Sequence, residues 1–437
     1  MMQKQDFVPA LMCQIEISRP LPTISTMRPD GNGRYQRAVA LVLLFGRPVG
    51  VVEFAPDDHD LSAAACADQI WEQVGMTIQA RLREEKLPIM MELTAQGLPS
   101  FGRSKSVTER KAILDDAPYV SVVVATHDRP DGLARCLDSL LAMEYPHFDV
   151  IVVDNAPSSN ETAVLIETQY SHTGKVRYLY EPTPGLSIAH NRGLREVTAP
   201  IVAFTDDDVV VNQDWLTHIV RSFVMNQRVG CVTGMIWPAE LETPAQAWLE
   251  QYGGFSKGFE RKLFDLDGHK VDGTLYPFTA GQFGSGANMA FNTAVLREIG
   301  GFDPALGAGS RGMGGDDLAA FFQIITANYR LLYEPAAIIR HWHYREYSRL
   351  QRTAFGYGVG LTAYLTSCLV KRPSYLLHFL VRIPFGVAYA FSPDSNKNKN
   401  KQEDYPAELT RIERKGMVHG PLSYLRSWWQ TRHLRFN

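Results

Sequence analysis

The chain has 437 residues, 45% of them hydrophobic and 21% charged, an ordinary globular composition long enough for two or three domains. Its formal net charge of -3 excludes a general nucleic-acid binder, because no basic excess exists to neutralise a phosphate backbone. Cys13, Cys66, Cys136, Cys231 and Cys368 form no C-x-x-C pair and no even framework; they read as reduced, mostly buried thiols, which favours the cytoplasm.

The opening stretch, "MMQKQDFVPALMCQIEISRP", lacks the basic region, apolar run and small-residue cleavage site of a secretory signal. Residues 1–98 read as a small N-terminal α+β domain to which no chemistry can be assigned. Within it "AVALVLLF" (Ala38 to Phe45), the turn "GRPVG" and "VVEF" predict a β-hairpin. A helix follows over "LSAAACADQIWEQVGMTIQARLREE", with apolar residues at helical spacing and a charged end. Residues 99–118, polar, charged and bounded by prolines, read as a linker.

From Tyr119 the pattern alternates between strand and helix: "YVSVVVAT", "GLARCLDSLLAM", "FDVIVVDN", "ETAVLIETQY", "VRYLYE", "SIAHNRGLREV", "PIVAFTDDD". Near-continuous Val/Ile runs between short helices predict an α/β fold whose mostly parallel sheet carries helices on both faces. Ligands of such sheets bind beyond the carboxyl ends of the strands. Thr126-His127-Asp128, Asp154-Asn155 and Asp206-Asp207-Asp208 each close a strand, so one crevice can collect all three. After Trp215 come another helix, a strand at "VGCVTGMI", an aromatic-rich irregular stretch, and a glycine-rich segment ahead of the acidic pair Asp316-Asp317. Residues 351–437 read as a helical C-terminal region containing a polar spacer, "NKNKNK" (Asn396 to Lys401), and a tail with no acidic residue after Glu413. Its longest uncharged run, Thr353 to Val370, barely reaches membrane-spanning length and carries three glycines, and the next is broken by Arg382 and Pro384.

Three adjacent aspartates repel one another unless a proton, a cationic side chain or a metal ion relieves them. Because strand side chains alternate, Asp206 and Asp208 are expected to point one way and Asp207 another. Hard oxygen ligands of this kind suit Mg2+ or Mn2+ holding a diphosphate. The plainer alternative is a helix cap, with Asp208 or Asp214 starting the helix "WLTHIVRSF".

"VSVVVATHDRPDGLARCLDSLL", "VIVVDNAPS", "EPTPGLSIAHNRGL", "FTDDDV", "GGFDPALGAG" and "GGDDLAAFF", taken together and in this order, resemble the nucleotide-sugar glycosyltransferases of family 2, with a GT-A fold, over about Tyr119 to Val370. The resemblance implies a GT-A catalytic domain at 119–350 and a metal-dependent, inverting transfer of a sugar to a hydroxyl of a glycan, lipid-linked or small-molecule acceptor. It implies that Thr126, Asp154, Asn191, Arg192 and Asp206 line the nucleotide and that Asp206 and Asp208, with His341 or His343, hold a divalent cation, Mn2+ or Mg2+. Asp317 corresponds to the catalytic base, and Gly286, Asn288 and Asp316 to the donor-sugar and acceptor region. The acceptor hydroxyl must lose a proton and the leaving diphosphate gains charge, so a carboxylate base opposite a cation suits the chemistry on its own terms.

The chain departs from the family in carrying Asp316-Asp317 where Glu-Asp is usual and Ala319 where another acid often follows. The Gln-x-x-Arg-Trp motif of processive synthases is absent, which disfavours processive synthesis. Two other readings remain open at this stage. "DDDVV" also fits the nucleophile motif of haloacid-dehalogenase-type phosphatases, with Asp206 as nucleophile and Asp208 as acid, and a non-catalytic sugar-nucleotide-binding module would share the fold. The expected setting is cytoplasmic, with peripheral contact to the inner membrane face through the C-terminal region.

Overall fold

A computed structural model describes residues 7–98, 104–252, 255, 257–271, 273–395 and 397–436. The N-terminal unit has three strands, β1 (Leu11–Glu16), β2 (Ala38–Leu44) and β3 (Arg47–Phe54), and helix α1 (Ala63–Glu84). β2 and β3 form the foreseen antiparallel hairpin, turning at Phe45 and Gly46, both with positive φ. β1, which the sequence reading did not identify, adds parallel to β2. β2 is buried along its whole length because both of its faces are covered: Ala38, Ala40, Val42 and Leu44 pack with α1, while Val39, Leu41 and Leu43 pack on Met235, Trp237 and Ile338 of the larger sheet. A strand buried on both faces loses the polar alternation of a half-exposed one.

The expected linker is largely helical. α2 (Lys105–Asp115) starts at Ser104, whose Oγ accepts from the Val107 amide at 3.1 Å, and it docks through ion pairs of Glu109 with Arg221 and Arg110 with Asp214. Residues 99–103 of that linker lie outside the described residues, as do residues 1–6 of the opening stretch and Asn396 of the polar spacer.

The central unit runs β4 (Val120–Thr126), α3 (Pro130–Leu141), β5 (Phe148–Asn155), α4 (Glu161–Leu165), β6 (Val176–Glu181), α5 (Leu186–Glu196), β7 (Ile201–Asp206), β8 (Val209–Val211), α6 (Trp215–Val224), β9 (Val229–Pro238), α7 (Pro244–Gln251), β10 (Lys262–Phe264), β11 (Asn288–Asn292), α8 (Thr293–Glu298), α9 (Asp316–Thr326) and β12 (Arg330–His341). These strands make one nine-stranded sheet in the order β10-β12-β9-β11-β7-β4-β5-β6, with β8 paired to β12. β6, β5, β4 and β7 run parallel, as do β9 and β12; β11 lies antiparallel between β7 and β9. Alternation along β4 separates two cores: Val122 and Val124 join Leu133 and Leu137 of α3 and Trp215 of α6, whereas Val123 joins Leu194 of α5 and Phe321 of α9. The α/β class with helices on both faces is the one the sequence predicts.

The C-terminal region comprises α10 (Tyr347–Lys371), α11 (Leu376–Phe391) and α12 (Ala407–Thr431). α10 and α12 lie side by side at glycine distance: a Cβ on Gly420 would fall 1.9 Å from Thr362 Oγ1. Both feed the core of the central unit, since Ala363, Tyr364 and Tyr424 pack with Phe278 and Phe322. The expected boundary at residue 350 therefore falls inside α10. Buried Asp303 fastens the arrangement, accepting from Ser367 Oγ at 2.7 Å and Tyr424 Oη at 3.0 Å.

Candidate active site

Parallel pairing aligns the strand ends: Thr126 of β4 stands opposite Asp154 of β5, and Ala125 opposite Asp206 of β7. β12 then pairs antiparallel with β8, setting His341 opposite Val209 and beside Asp208. Three chain segments remote in sequence thus meet at one edge, the crevice expected beyond strand carboxyl ends.

The aspartate triplet divides as strand alternation requires. Asp207 is buried and accepts from Thr126 Oγ1 at 2.7 Å and Arg129 Nη1 at 3.1 Å. Arg129 also reaches Asp208 Oδ2 at 3.0 Å and bonds Tyr344. Asp206 and Asp208 turn to the other side, where one carboxylate oxygen of each and a ring nitrogen of His341 lie within 4.8 Å of one another. Burial first, and then the charges of Asp208, Asp207 and Asp316, push the Asp206 carboxyl well above the ordinary range. Burial likewise lowers the His341 pKa, favouring a neutral ring with a lone pair.

The histidines differ from the sequence expectation. His341 Nδ1 faces His343 Nδ1 at 3.0 Å, and His343 Nε2 lies 2.6 Å from Glu250 Oε1. In the tautomer where His341 Nδ1–H donates to His343 Nδ1, His343 Nε2–H donates to Glu250. Of the two histidines it is His341 that joins Asp206 and Asp208, while His343 sits behind it with one nitrogen facing His341 and the other Glu250. His341 Nε2 is then a lone pair 3.2 Å from Asp208 Oδ1, an oxygen that is buried and has no hydrogen-bond partner. Two acceptors face each other with no proton between them, which a cation would resolve. Two carboxylates and an imidazole braced from behind are a donor set suited to Mn2+ or Mg2+.

On the other side of the crevice Asp317 opens α9. Its Oδ2 accepts from the Gly286 amide at 2.9 Å and its Oδ1 from the Leu318 amide at 2.8 Å. Burial raises its pKa, and these amides pull it back. Neighbouring Asp316 is buried 3.9 Å from His190 Nδ1, and burial followed by the Asp317 charge pushes it up to about 7. Tyr357 of α10 stacks on Tyr252 at 5.2 Å, and burial, followed by the charges of Asp317 and Asp206, raises its phenol pKa.

Two further expected residues serve the frame instead. Asn191 is buried, its Nδ2 donating to the Phe302 carbonyl and its Oδ1 accepting from the Phe302 N–H, both at 2.9 Å, so it clamps the loop at Phe302. Asn288 is buried with its Nδ2 on the Met235 and Ala337 carbonyls and its Oδ1 on Trp215 Nε1. It clamps β11 to β9, β12 and α6. Arg192 pairs with Glu196 at 2.6 Å along α5. Asp154 is fully buried, one oxygen taking the Tyr178 hydroxyl at 2.9 Å and the other without a partner. Sequence reasoning missed Arg129, Glu250 and Tyr357; "THDRP" held the first in plain view, beside a strand end, while nothing local marks the other two.

Residues 121–300 match the sequence profile described as "Glycosyl transferase family 2". The chain is 25% identical over 228 residues to the pre-mycofactocin glycosyltransferase of Mycobacterium tuberculosis, covering 51% of this chain and 43% of that protein. It is 34% identical over 107 residues to the succinoglycan biosynthesis protein ExoM of Rhizobium meliloti, covering 24% of this chain and 34% of the relative. The match thus spans less than half the length of these relatives. A mannosyltransferase of Pyrobaculum calidifontis, solved with GDP-Man and Mn2+, superimposes with a TM-score of 0.42 at 16% identity over 72% of this chain and 75% of that one, a level from which no shared detail follows.

Proposed function

We propose that the chain, whose residues 121–300 match glycosyl transferase family 2, moves a sugar from a nucleoside-diphosphate sugar to an acceptor hydroxyl with inversion at the anomeric carbon. The acceptor class is a glycan, a lipid-linked or a small-molecule hydroxyl. The observation that carries the reading is the opposition of His341 Nε2 and Asp208 Oδ1 at 3.2 Å beside Asp206. Asp206, Asp208 and His341 would hold a divalent cation there, and such a cation offsets the charge growing on the leaving diphosphate.

The chain's own groups supply the rest. Asp317, fixed by the Gly286 and Leu318 amides, takes the proton of the acceptor hydroxyl as its oxygen attacks the anomeric carbon. The new C–O bond forms as the bond to the diphosphate oxygen breaks, and one displacement inverts the configuration. Arg129, paired with both Asp207 and Asp208, screens their mutual repulsion, and a donor diphosphate would compete with these carboxylates for its half-exposed guanidinium. Asp154 offers its unpartnered oxygen to a nucleobase N–H. The phosphatase alternative places its aspartate pair at the end of the domain's first strand, whereas β4, β5 and β6 all precede β7 and Asp206 here.

The test is thermal stabilisation of the purified protein by UDP-, GDP- and dTDP-sugars with Mn2+, Mg2+ or chelator. A metal-dependent shift with one nucleotide supports transfer and names the donor class. Absence of any shift, with hydrolysis of a generic phosphate ester, sinks it.

A further inference from the structure

α11 is built inside out. Its partly covered residues, Tyr375 (just ahead of the helix), Phe379, Arg382, Gly386 and Tyr389, follow one helical stripe, and none of the helix is fully buried. That stripe lies on the segment leading to Gly286: Phe379 packs on Phe278 at 5.7 Å, and Arg382 Nε donates to the Thr274 carbonyl at 2.5 Å. The rest of the surface faces outward and is apolar, with Leu377 71% and Val381 61% exposed and Leu380, Ile383, Phe385 and Val387 beside them. A surface helix of a water-soluble protein turns polar residues outward, and an exposed apolar patch of this extent marks a contact surface.

The patch continues onto α12. Phe391, at the end of α11, lies under the Arg414 guanidinium at 4.5 Å. From Arg414 the same face of α12 carries Val418, Leu422, Leu425 and Trp429, spaced four, four, three and four residues apart, with Val418 79% and Trp429 64% exposed. Arg432 stacks over the Trp429 ring at 3.7 Å. From Lys371 to the end there are 12 lysines and arginines against 5 aspartates and glutamates, in a chain whose formal net charge is -3. Apolar residues rimmed by arginine, with a tryptophan at the edge, are the chemistry of a helix lying in a lipid interface.

We propose that α11 and the outer face of α12 form one docking surface that seats the protein, in plane, on an anionic lipid bilayer. A second copy is disfavoured as the occupant, because two such surfaces would bring like charges together. The continuous helical segment Pro373–Phe391 is long and apolar enough to cross a bilayer, but crossing is disfavoured because Arg382 ties its middle to the folded protein and Pro384 interrupts it.

The test is flotation of the full chain with vesicles of phosphatidylcholine alone or mixed with phosphatidylglycerol. Expected is co-flotation with the mixed vesicles only, release by high salt, and a loss of at least about tenfold in Leu377→Glu/Val381→Glu at unchanged Tm. Arg426→Glu/Arg432→Glu, which leaves the apolar face intact, should remove the preference for anionic lipid. The proposal is overturned by any of four results: no flotation with mixed vesicles, equal flotation with both kinds, retention that only detergent reverses, or a lipid-free dimer that the Leu377→Glu/Val381→Glu exchange abolishes.

Discussion

His343 Nε2 meets Glu250 Oε1 at 2.6 Å on the side of the ring away from His341. This contact fixes which nitrogen of His341 keeps its lone pair, because a proton on His343 Nε2 leaves Nδ1 as the acceptor for His341. Glu250→Gln should therefore weaken Mn2+ binding by about 10–100-fold while the unfolding transition barely moves. Calorimetric titration of Mn2+ into both proteins checks this, and equal affinities would remove the bracing role.

Asp208 and Asp317 should fail differently. Asp208→Asn takes away an oxygen of the cation site and should abolish the metal-dependent thermal shift with donor. Asp317→Asn leaves that site whole, so the shift should persist while transfer falls by about 10^2–10^4-fold, the usual worth of a general base. Transfer assays beside thermal shifts separate the two. Full transfer by Asp317→Asn would show that another group takes the proton.

Asp316 makes stability depend on pH. Its pKa is raised to about 7 when folded, against about 3.9 in an unfolded chain, so the folded state binds the extra proton between these values. The associated stability is fully present below about pH 4 and is lost as pH rises through about 7. Asp316→Asn, which cannot ionise, should gain in Tm relative to the parent as pH is raised from about 5 to about 8. A Tm difference independent of pH would mean that Asp316 titrates normally.

How much of this was legible follows from which interactions leave a local trace. Val/Ile runs announced β4, β5 and β7, because a strand covered on both faces must be apolar throughout. The aspartate triplet announced itself through like-charge repulsion. α2 was read as linker because only Ile113 is buried on it and its docking rests on ion pairs such as Arg221–Glu109, whose partners lie far apart in sequence. Glu250 and Tyr357 reach the site from α7 and α10 by tertiary packing alone. Asn191 and Asn288 lie within recognisable motifs, but a motif does not say whether an amide faces a ligand or the backbone behind it.

Asn288 supplies the sharpest case. Its Nδ2 holds the carbonyls of Met235 and Ala337, both at 2.8 Å, and its Oδ1 takes Trp215 Nε1 at 2.9 Å, all in the interior. Asn288→Ala would strand two carbonyls and an indole N–H, each costing roughly 1–3 kcal/mol when buried without a partner. The expected loss is therefore roughly 3 kcal/mol or more, read as a lower urea midpoint. If Asn288 instead contacted the acceptor, the acceptor KM would rise with stability nearly unchanged. The clamp predicts the opposite division: a large stability loss, and an unchanged acceptor KM in the fraction that remains folded at low temperature.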